Sequence, residues 1–369
     1  MKAIVIGGTG TTGPYIIDGL LKRHYHVTTL SRGVHKADLP AEVDHIYGDP
    51  HFMEALTEAL KGRSFDLVVS TYGRLRYVAE AIKGHTPRLI SVGGYAIYKG
   101  WFRVTDPEAL VHSEESVVPV PEEGFLEEAG ADRFVDRVLE SEQAVMQAHQ
   151  EGHYNATHFR YCQVSGPRHL APGEWCFIRR ILDGRKQVVL PGGGQILVSR
   201  VYGENAAHAV LLAVDNPDAS AGQIYNIRDE VVLTNRQWVR LIAQTMGHDL
   251  EFVDLPLSIV QLGPRYVPVP LLRPDHRVMD IAKIQQQLGY HDVVPAQRGV
   301  ELTARWYMEN RPGPDGEVEG NLGDPFDYTA EDRLIQRFSE FWGEIMQMPE
   351  SKHGFRHPYP HPKSPGDLR

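Results

Sequence analysis

An apolar strand that runs directly into a glycine-rich loop is the feature that most constrains this chain. Residues 2–6 read Lys-Ala-Ile-Val-Ile, which is typical of a strand buried on both faces of a parallel sheet. Glycines follow at positions 7, 10 and 13, and apolar residues then recur at helical spacing. Such glycines let the backbone approach a pyrophosphate, and the helix N-terminus offers it free N–H groups. This context predicts a dinucleotide site that includes Gly7, Gly10, Thr11, Thr12 and Gly13.

Strands and helices alternate through the first 165 residues, which is the pattern of a doubly wound parallel sheet. The sequence predicts further strands at 26–30, 43–47, 65–70, 89–92 and 157–161, and helices at 53–61 and 132–150. Ligands of such sheets bind beyond the carboxyl ends of the strands. We therefore expect an α/β fold in which these strand ends surround one crevice.

The end of the second strand bears on which nicotinamide cofactor this crevice would hold. In dinucleotide-binding folds, an acidic residue about 20 residues after the glycines binds the ribose 2′-hydroxyl. Here that place holds Ser31 and Arg32, with Lys36 nearby. A carboxylate would repel a 2′-phosphate, whereas a guanidinium pairs with it and stacks on adenine. The sequence therefore predicts NADP rather than NAD.

The glycine spacing also resembles that of a known family. Gly-x-x-Gly-x-x-Gly, opened by Gly-Gly-Thr-Gly, is similar to the loop of the extended and atypical short-chain dehydrogenase/reductases, the epimerase/dehydratase branch of that superfamily. Residues 157–167 resemble the family segment Leu-Arg-Pro-x-x-x-Tyr-Gly-Pro, with Tyr161 and Ser165 departing from it. Residues 188–195 resemble the family's Leu-Pro-Gly-x-Gly stretch, which borders the substrate domain.

This resemblance implies a Rossmann-type fold with a smaller C-terminal α/β substrate domain. It places the adenine-binding corner at Asp49 and Pro50, and contacts to ribose and phosphates at Ser70, Thr71 and Tyr72. The fifth strand adds Ser91. The loop beside the nicotinamide ring would contain Tyr161 and Gln163.

Composition shifts along the chain predict its domain organisation. We expect an NADP-binding domain over 1–165, to which strand and helix segments in 196–227 return, and an interleaved substrate domain over 166–310. The Pro-rich and acidic residues 100–130 form a predicted insert or lid. The remaining residues, 311–369, are expected to form a linker rich in Gly, Pro and Asp, an amphipathic helix at 329–348 and a disordered tail.

Charge and composition exclude several function classes. The net charge is −10 and basic residues are scattered, which argues against a nucleic-acid surface. Two cysteines are too few for a disulfide framework, and a strand at residue 2 leaves no room for a signal peptide. No histidine spacing suggests a metal site, and no apolar run could span a membrane. These features predict a cytoplasmic, homo-oligomeric protein with a small-molecule substrate. The apolar stripe of the 329–348 helix is expected to pack either on the body of its own subunit or on a neighbouring subunit.

The catalytic pair of the family is missing from its usual helix. The resemblance implies a Tyr and a Lys four residues apart on the 132–150 helix, where the lysine lowers the pKa of the tyrosine. Between Gly100 and His153 the chain has neither residue, and Phe134 and Val138 take the two places. The family's Ser or Thr after the fifth strand falls at Gly93 or Gly94.

A second Tyr-x-x-x-Lys pattern follows the fifth strand. Tyr95, Tyr98 and Lys99 leave that strand where the family's serine would face the nicotinamide. Atypical relatives similar to progesterone 5β-reductase carry a catalytic lysine there, although their partner tyrosine is absent here. We therefore predict that Tyr95 or Tyr98 donates a proton, with Lys99 as electrostatic support.

Three functional hypotheses follow. The first is an NADP-dependent oxidoreductase that moves a hydride to or from a small organic substrate. The second is a nucleotide-sugar epimerase or dehydratase, which the loss of Tyr and Lys disfavours. The third is a non-catalytic NADP sensor or scaffold. Relatives close to the chloroplast stem-loop RNA-binding proteins show that this fold can serve functions other than redox catalysis.

Overall fold

The computed structural model describes residues 1–34, 37–102, 117–130 and 132–349, and in the C-terminal tail residues 354, 358 and 363–366. The chain divides into two compact units, Met1–Asp327 and Tyr328–Arg369. Lys36, much of the predicted 100–130 insert and most of the predicted disordered tail lie outside the described residues. No helix in the described ranges is long and apolar enough to cross a membrane.

The first unit contains the strands, and each named strand pairs in parallel with its neighbours. They are β1 Lys2–Ile6, β2 His26–Ser31, β3 Asp44–Tyr47, β4 Leu67–Ser70, β5 Arg88–Gly94, β6 Asn155–Tyr161, β7 Gln163–Ser165, β8 Gln187–Pro191, β9 Arg200–Tyr202, β10 Gln223–Ile227 and β11 Glu251–Leu255. Seven form one sheet in the order β3-β2-β1-β4-β5-β6-β10. Two small parallel pairs, β7 with β9 and β8 with β11, complete the set. The predicted doubly wound parallel sheet is confirmed.

Helices connect the strands, as the alternating pattern predicts. Their bounds are α1 Gly13–Lys22, α2 Met53–Leu60, α3 Leu75–Ala81, α4 Arg133–Gln150, α5 Trp175–Leu182, α6 Gly203–Asp215, α7 Asn235–Thr245, α8 Ala282–Leu288, α9 Ala296–Glu309, α10 Glu317–Leu322 and α11 Tyr328–Ile345. Sequence periodicity missed α3 and β11, which have only seven and five residues. Seven residues cover only about two helical turns, and β11 reads Glu-Phe-Val-Asp-Leu, in which acidic residues interrupt the apolar pattern.

Strand β1 is buried on both faces, as its apolar run predicts. Ala3 and Val5 belong to one core cluster, while Ile4 and Ile6 belong to a second cluster on the opposite face. Side chains alternate between the faces of a strand, so both layers of helices pack on this one element. The sheet therefore holds the end of β1, and the loop after it, in a fixed position.

The strand order reverses next to β1. The chain proceeds from β1 to β2 and β3 in one direction, and then returns to β4, β5, β6 and β10 on the other side of β1. Crevices form outside the carboxyl ends of parallel strands at such a reversal, because the flanking connections diverge there. The glycine-rich loop follows β1 directly and lies at this point.

The predicted linker after residue 310 is wrong in one respect, since its residues up to Asp327 belong to the first unit. Asp324 forms two hydrogen bonds of 3.0 Å with Arg180 on α5, and both side chains are almost fully buried. Glu319 on α10 accepts bonds from Trp175 and Arg179, at 2.8 and 2.6 Å. A segment rich in Gly and Asp can thus be ordered through buried ion pairs, which composition alone does not reveal.

The second unit contains the predicted amphipathic helix, α11. The rings of Phe338 and Trp342 stack at 5.9 Å, and Phe341 and Trp342 remain about half exposed. Which surface covers this apolar stripe, and whether the chain is a homo-oligomer, stay predictions.

Candidate functional site

The glycine-rich loop is shaped by two close backbone approaches. A Cβ atom on Gly7, which has φ of +97°, would lie 2.5 Å from Tyr72 Cβ and 2.6 Å from Thr71 Oγ1. A Cβ on Gly13 would lie 2.3 Å from the carbonyl carbon of Gly8. Only glycine fits these two positions. Gly10 has no comparable crowding and faces the adjoining cavity.

The first turn of α1 is open to an anion. Pro14 occupies the first turn, where its missing N–H costs nothing, and no side chain caps the helix at Thr12. The N–H groups and the positive dipole end of a helix bind a phosphate when nothing else satisfies them. The loop geometry therefore suits the pyrophosphate of a dinucleotide.

A cavity of about 640 Å³ adjoins this loop. Several of the predicted cofactor residues line this cavity. The glycine-rich loop contributes Gly7, Gly10, Thr11 and Thr12. The ends of β2, β4 and β6 supply Ser31, Arg32, Thr71, Tyr72 and Tyr161. Their common position at one cavity agrees with a single dinucleotide site, although cofactor contact itself stays a prediction.

The other predicted cofactor residues that the structure describes do not line this cavity. Gly13 packs on Gly8, and Pro50 packs on Gly73. Ser91 Oγ lies 2.8 Å from His158 Nδ1, and the Ser70 hydroxyl is buried without a hydrogen-bond partner in the described structure. Gln163 lies in the β7–β9 pair, Asp49 bonds to His51, and Lys36 is outside the described residues.

Arg32 lies at the position that decides between NAD and NADP. Its Nη2 donates a 2.8 Å hydrogen bond to the hydroxyl of Tyr72, and both side chains line the cavity. Asp49 lies close by and bonds to His51. Burial raises the pKa of that carboxyl, but the bonds from His51 and the charge of Arg32 lower it overall. Glu317 is the acidic residue that lines the described part of the cavity, and it is exposed.

Sequence reasoning missed a second set of residues that line the cavity. The loop after β7 contributes Arg168, His169 and Leu170. The end of α9 and the segment after it contribute Trp306, Tyr307, Asn310, Pro312, Glu317 and Val318. No glycine motif or charge run marks these positions, and only the Gly-Pro dipeptide before Arg168 indicates a turn there.

Tyr98 is a correction to the predicted proton donor. Its side chain is fully buried, its hydroxyl donates to Asn226 Oδ1 at 2.6 Å, and it accepts from Arg160 Nη1 at 2.9 Å. Burial raises the pKa of Tyr98 to about 12. A short 3₁₀ turn over Tyr95–Ile97 directs this ring into the core, where it packs 5.3 Å from Trp101. A phenol held this way does not reach a substrate.

Tyr95 and Lys99 are not brought to the cavity either. The Tyr95 ring packs at 5.7 Å on Trp101, and the Lys99 backbone N–H donates to the carbonyl of Phe125 at 3.0 Å. Neither residue is among the described residues that line the cavity. Their catalytic role therefore gains no support from the structure and stays a prediction.

A buried ionic network of Glu142, Arg160 and His158 lies next to Val138 and Gly93, two of the positions where the family has its catalytic residues. Glu142, one turn beyond Val138 on α4, forms bonds of 2.7 and 2.9 Å with Arg160 on β6. His158 Nε2 lies 3.4 Å from Glu142, and burial lowers the pKa of His158 to about 4. A Cβ on Gly93 would lie only 2.6 Å from His158 Nε2, so the imidazole excludes a serine there.

Comparisons with known proteins agree with this fold. Residues 138–227 match the model of the NAD dependent epimerase/dehydratase family. An uncharacterized Escherichia coli (strain K12) protein, YbjS, is 29% identical over 33% of this chain and 42% of its own length. Short-chain dehydrogenase/reductase family 42E member 1 of Xenopus laevis is 22% identical over 70% of this chain and 71% of its own length.

The fold is also found among solved structures. A UDP-glucose 4-epimerase from Thermotoga maritima, solved with UDP-glucose, aligns with a TM-score of 0.67 at 20% identity, over 85% of this chain and all of the epimerase. At that identity the match concerns the fold alone. With its glycine-rich loop, parallel strand order and matched segment, the chain is similar to the extended short-chain dehydrogenase/reductases and to the NAD dependent epimerase/dehydratase family.

Proposed function

We propose that this chain is an NADP-dependent oxidoreductase of the atypical short-chain type, which transfers a hydride to or from a small organic substrate. The observation that carries the proposal is Arg32. It stands at the end of β2 where NAD-binding relatives of this fold have an acidic residue, and it lines the same cavity as the glycine-rich loop. A bound NADP would supply the hydride or accept it.

The residues around the cavity fit such a cofactor. The glycines at 7 and 13 leave no room for side chains, and the uncapped start of α1 would accept the pyrophosphate. Arg32 would pair with the 2′-phosphate, and its bond to Tyr72 holds the guanidinium at the cavity wall. Thr71 and Tyr161 follow β4 and β6, on the other side of β1 from Arg32, where the nicotinamide end would extend.

The cofactor preference gives the first test. Arg32→Ala should weaken NADPH binding about tenfold to a hundredfold and leave NADH binding nearly unchanged, because one charge-assisted hydrogen bond is worth roughly 1.5–3 kcal/mol. Fluorescence titration with both reduced cofactors measures it. Arg74→Ala is the matched control, since Arg74 packs on the rings of Phe52 and Tyr77 outside the cavity wall. Equal affinity of the unmodified protein for NADPH and NADH would contradict the proposed preference.

A second candidate is a non-catalytic NADP-binding protein. Two observations favour it: Phe134 and Val138 stand in the places of the catalytic pair, and Tyr98 is locked in the core. The two candidates separate in an assay of NADPH consumption with ketones, enones and nucleotide sugars. Turnover of a ketone or enone supports the oxidoreductase, and conversion of a nucleotide sugar without net NADPH consumption supports an epimerase. Tight NADPH binding without conversion of any compound supports the sensor.

A further inference from the structure

The loop after β7, residues 166–170, lies directly against the glycine-rich loop. A Cβ atom on Gly166 would be 3.1 Å from Thr11 Cγ2, and Gly166 has φ of +134°. Two residues later, Arg168 lines the same cavity as Thr11 and Thr12. Arg168 therefore belongs to the part of the cavity wall nearest the phosphate-binding loop, whereas Arg32 stands at the end of β2.

The backbone of Arg168 is held in an unusual conformation. Its φ is +62°, a left-handed value that residues other than glycine rarely adopt unless their surroundings impose it. Tyr307 imposes it from one side, because its hydroxyl accepts from His169 N–H and donates to His169 C=O, both at 3.1 Å. Asn321 donates to the carbonyl of Leu170 at 3.2 Å from the other side. Non-glycine residues in this region concentrate at ligand-binding sites.

The Arg168 side chain differs from the other arginines around it. It is half-buried, and it has no hydrogen-bond or ion-pair partner within the described ranges of the chain. Arg32 bonds to Tyr72, while Arg179 and Arg180 bond to Glu319 and Asp324. A guanidinium at a cavity wall presents a planar fork that matches two oxygens of a phosphate.

We propose that Arg168 binds the pyrophosphate of the dinucleotide together with the glycine-rich loop. This inference rests on the proposed NADP-binding function. The same chemistry would also suit the 2′-phosphate or an anionic group of the substrate. The contact between Gly166 and Thr11 favours the pyrophosphate, because Thr11 belongs to the loop that the fold uses for that group.

The test compares binding of NADPH and NADH, since both contain the pyrophosphate and only NADPH has the 2′-phosphate. Arg168→Gln should weaken both cofactors by the same factor, about tenfold to a hundredfold, so that their affinity ratio stays constant. Arg168→Gly removes the side chain and suits the left-handed backbone, so it should show the same loss without a lower melting temperature. Arg168→Lys, which keeps one charge, should recover part of it. Arg305→Gln, on the exposed side of α9, is the matched control and should bind like the unmodified protein.

Each other outcome has a distinct meaning. If the unmodified protein binds neither cofactor, the proposed function fails. If it binds them and the Arg168 variants bind equally well, this inference fails alone, because Arg168 then contacts no part of the cofactor. A loss confined to NADPH would assign Arg168 to the 2′-phosphate and overturn the pyrophosphate contact.

Discussion

At the scale of single residues, His158 leaves no room for a side chain at Gly93, one of the two places where the family's Ser or Thr would fall, whereas the other place, Gly94, is uncrowded. The His158 imidazole fills the place where a side chain at position 93 would point, with its Nε2 only 2.6 Å from a Cβ built there. That imidazole is held on Ser91 and lies beside Glu142, which in turn pairs with Arg160. The end of β5, where the family's Ser or Thr is expected, therefore packs against a buried network of His158, Glu142 and Arg160.

Tyr98 gives a prediction at the same scale. Tyr98→Phe removes one partner each from Asn226 Oδ1 and Arg160 Nη1, so it should lower the free energy of unfolding by about 1–3 kcal/mol. Urea denaturation measures this change. Turnover under folded conditions should stay the same, because the hydroxyl does not reach the cavity. Tyr95→Phe is the control and should change stability less, since Tyr95 is only partly buried. Lost turnover with unchanged stability would restore Tyr98 as the proton donor.

At the scale of elements, residues 311–327 act as part of the cavity and not as a linker. The segment is tied to α5 by the Arg180–Asp324 and Arg179–Glu319 pairs, and Gly323 ends α10 with a left-handed φ of +68°. Between these ties and the end of α9, Pro312, Glu317 and Val318 line the cavity. The order of this segment and the shape of the site therefore depend on each other.

The Arg180–Asp324 pair provides the test of that dependence. Asp324→Ala removes the carboxylate that forms two bonds with the buried guanidinium of Arg180, so it should cost about 3–5 kcal/mol of stability and also weaken NADPH binding. Glu301→Ala is the control, because its pair with Arg298 is exposed and should be worth less than about 1 kcal/mol. Urea unfolding and cofactor titration measure the two effects. Normal NADPH affinity in a folded Asp324→Ala protein would show that the segment does not support the site.

At the scale of the whole molecule, we expect the two units to have separate roles, the first in cofactor binding and the second in subunit association. Every described residue that lines the cavity precedes Tyr328, so a chain ending at Asp327 should keep its NADPH affinity. Its mass in light scattering should fall, because α11 carries the apolar stripe with Phe341 and Trp342 that we predict to join subunits. A chain ending at Asn310 should lose affinity as well. An unchanged mass after removal of α11 would contradict the predicted oligomer contact.

The sequence predicted the sheet and the phosphate-binding loop because both are encoded locally. The β1 residues and Gly7 are adjacent in the chain, and the absence of Tyr and Lys from α4 can be read directly. The position of Tyr98 could not be predicted, since a residue just after a strand can turn toward either the crevice or the core. The role proposed for Arg168 rests on bonds that Tyr307 and Asn321, both distant in sequence, form with the neighbouring residues His169 and Leu170.

The two walls of the cavity come from nearly opposite ends of the first unit, with consequences during synthesis. The phosphate-binding loop leaves the ribosome well before Glu317 and Val318, which lie near the end of that unit. At about 5–20 residues per second, the second wall emerges tens of seconds after the first. A nascent chain would therefore expose an incomplete nucleotide cleft for most of its translation. The chain would therefore bind the cofactor tightly only after the first unit has been completely synthesised.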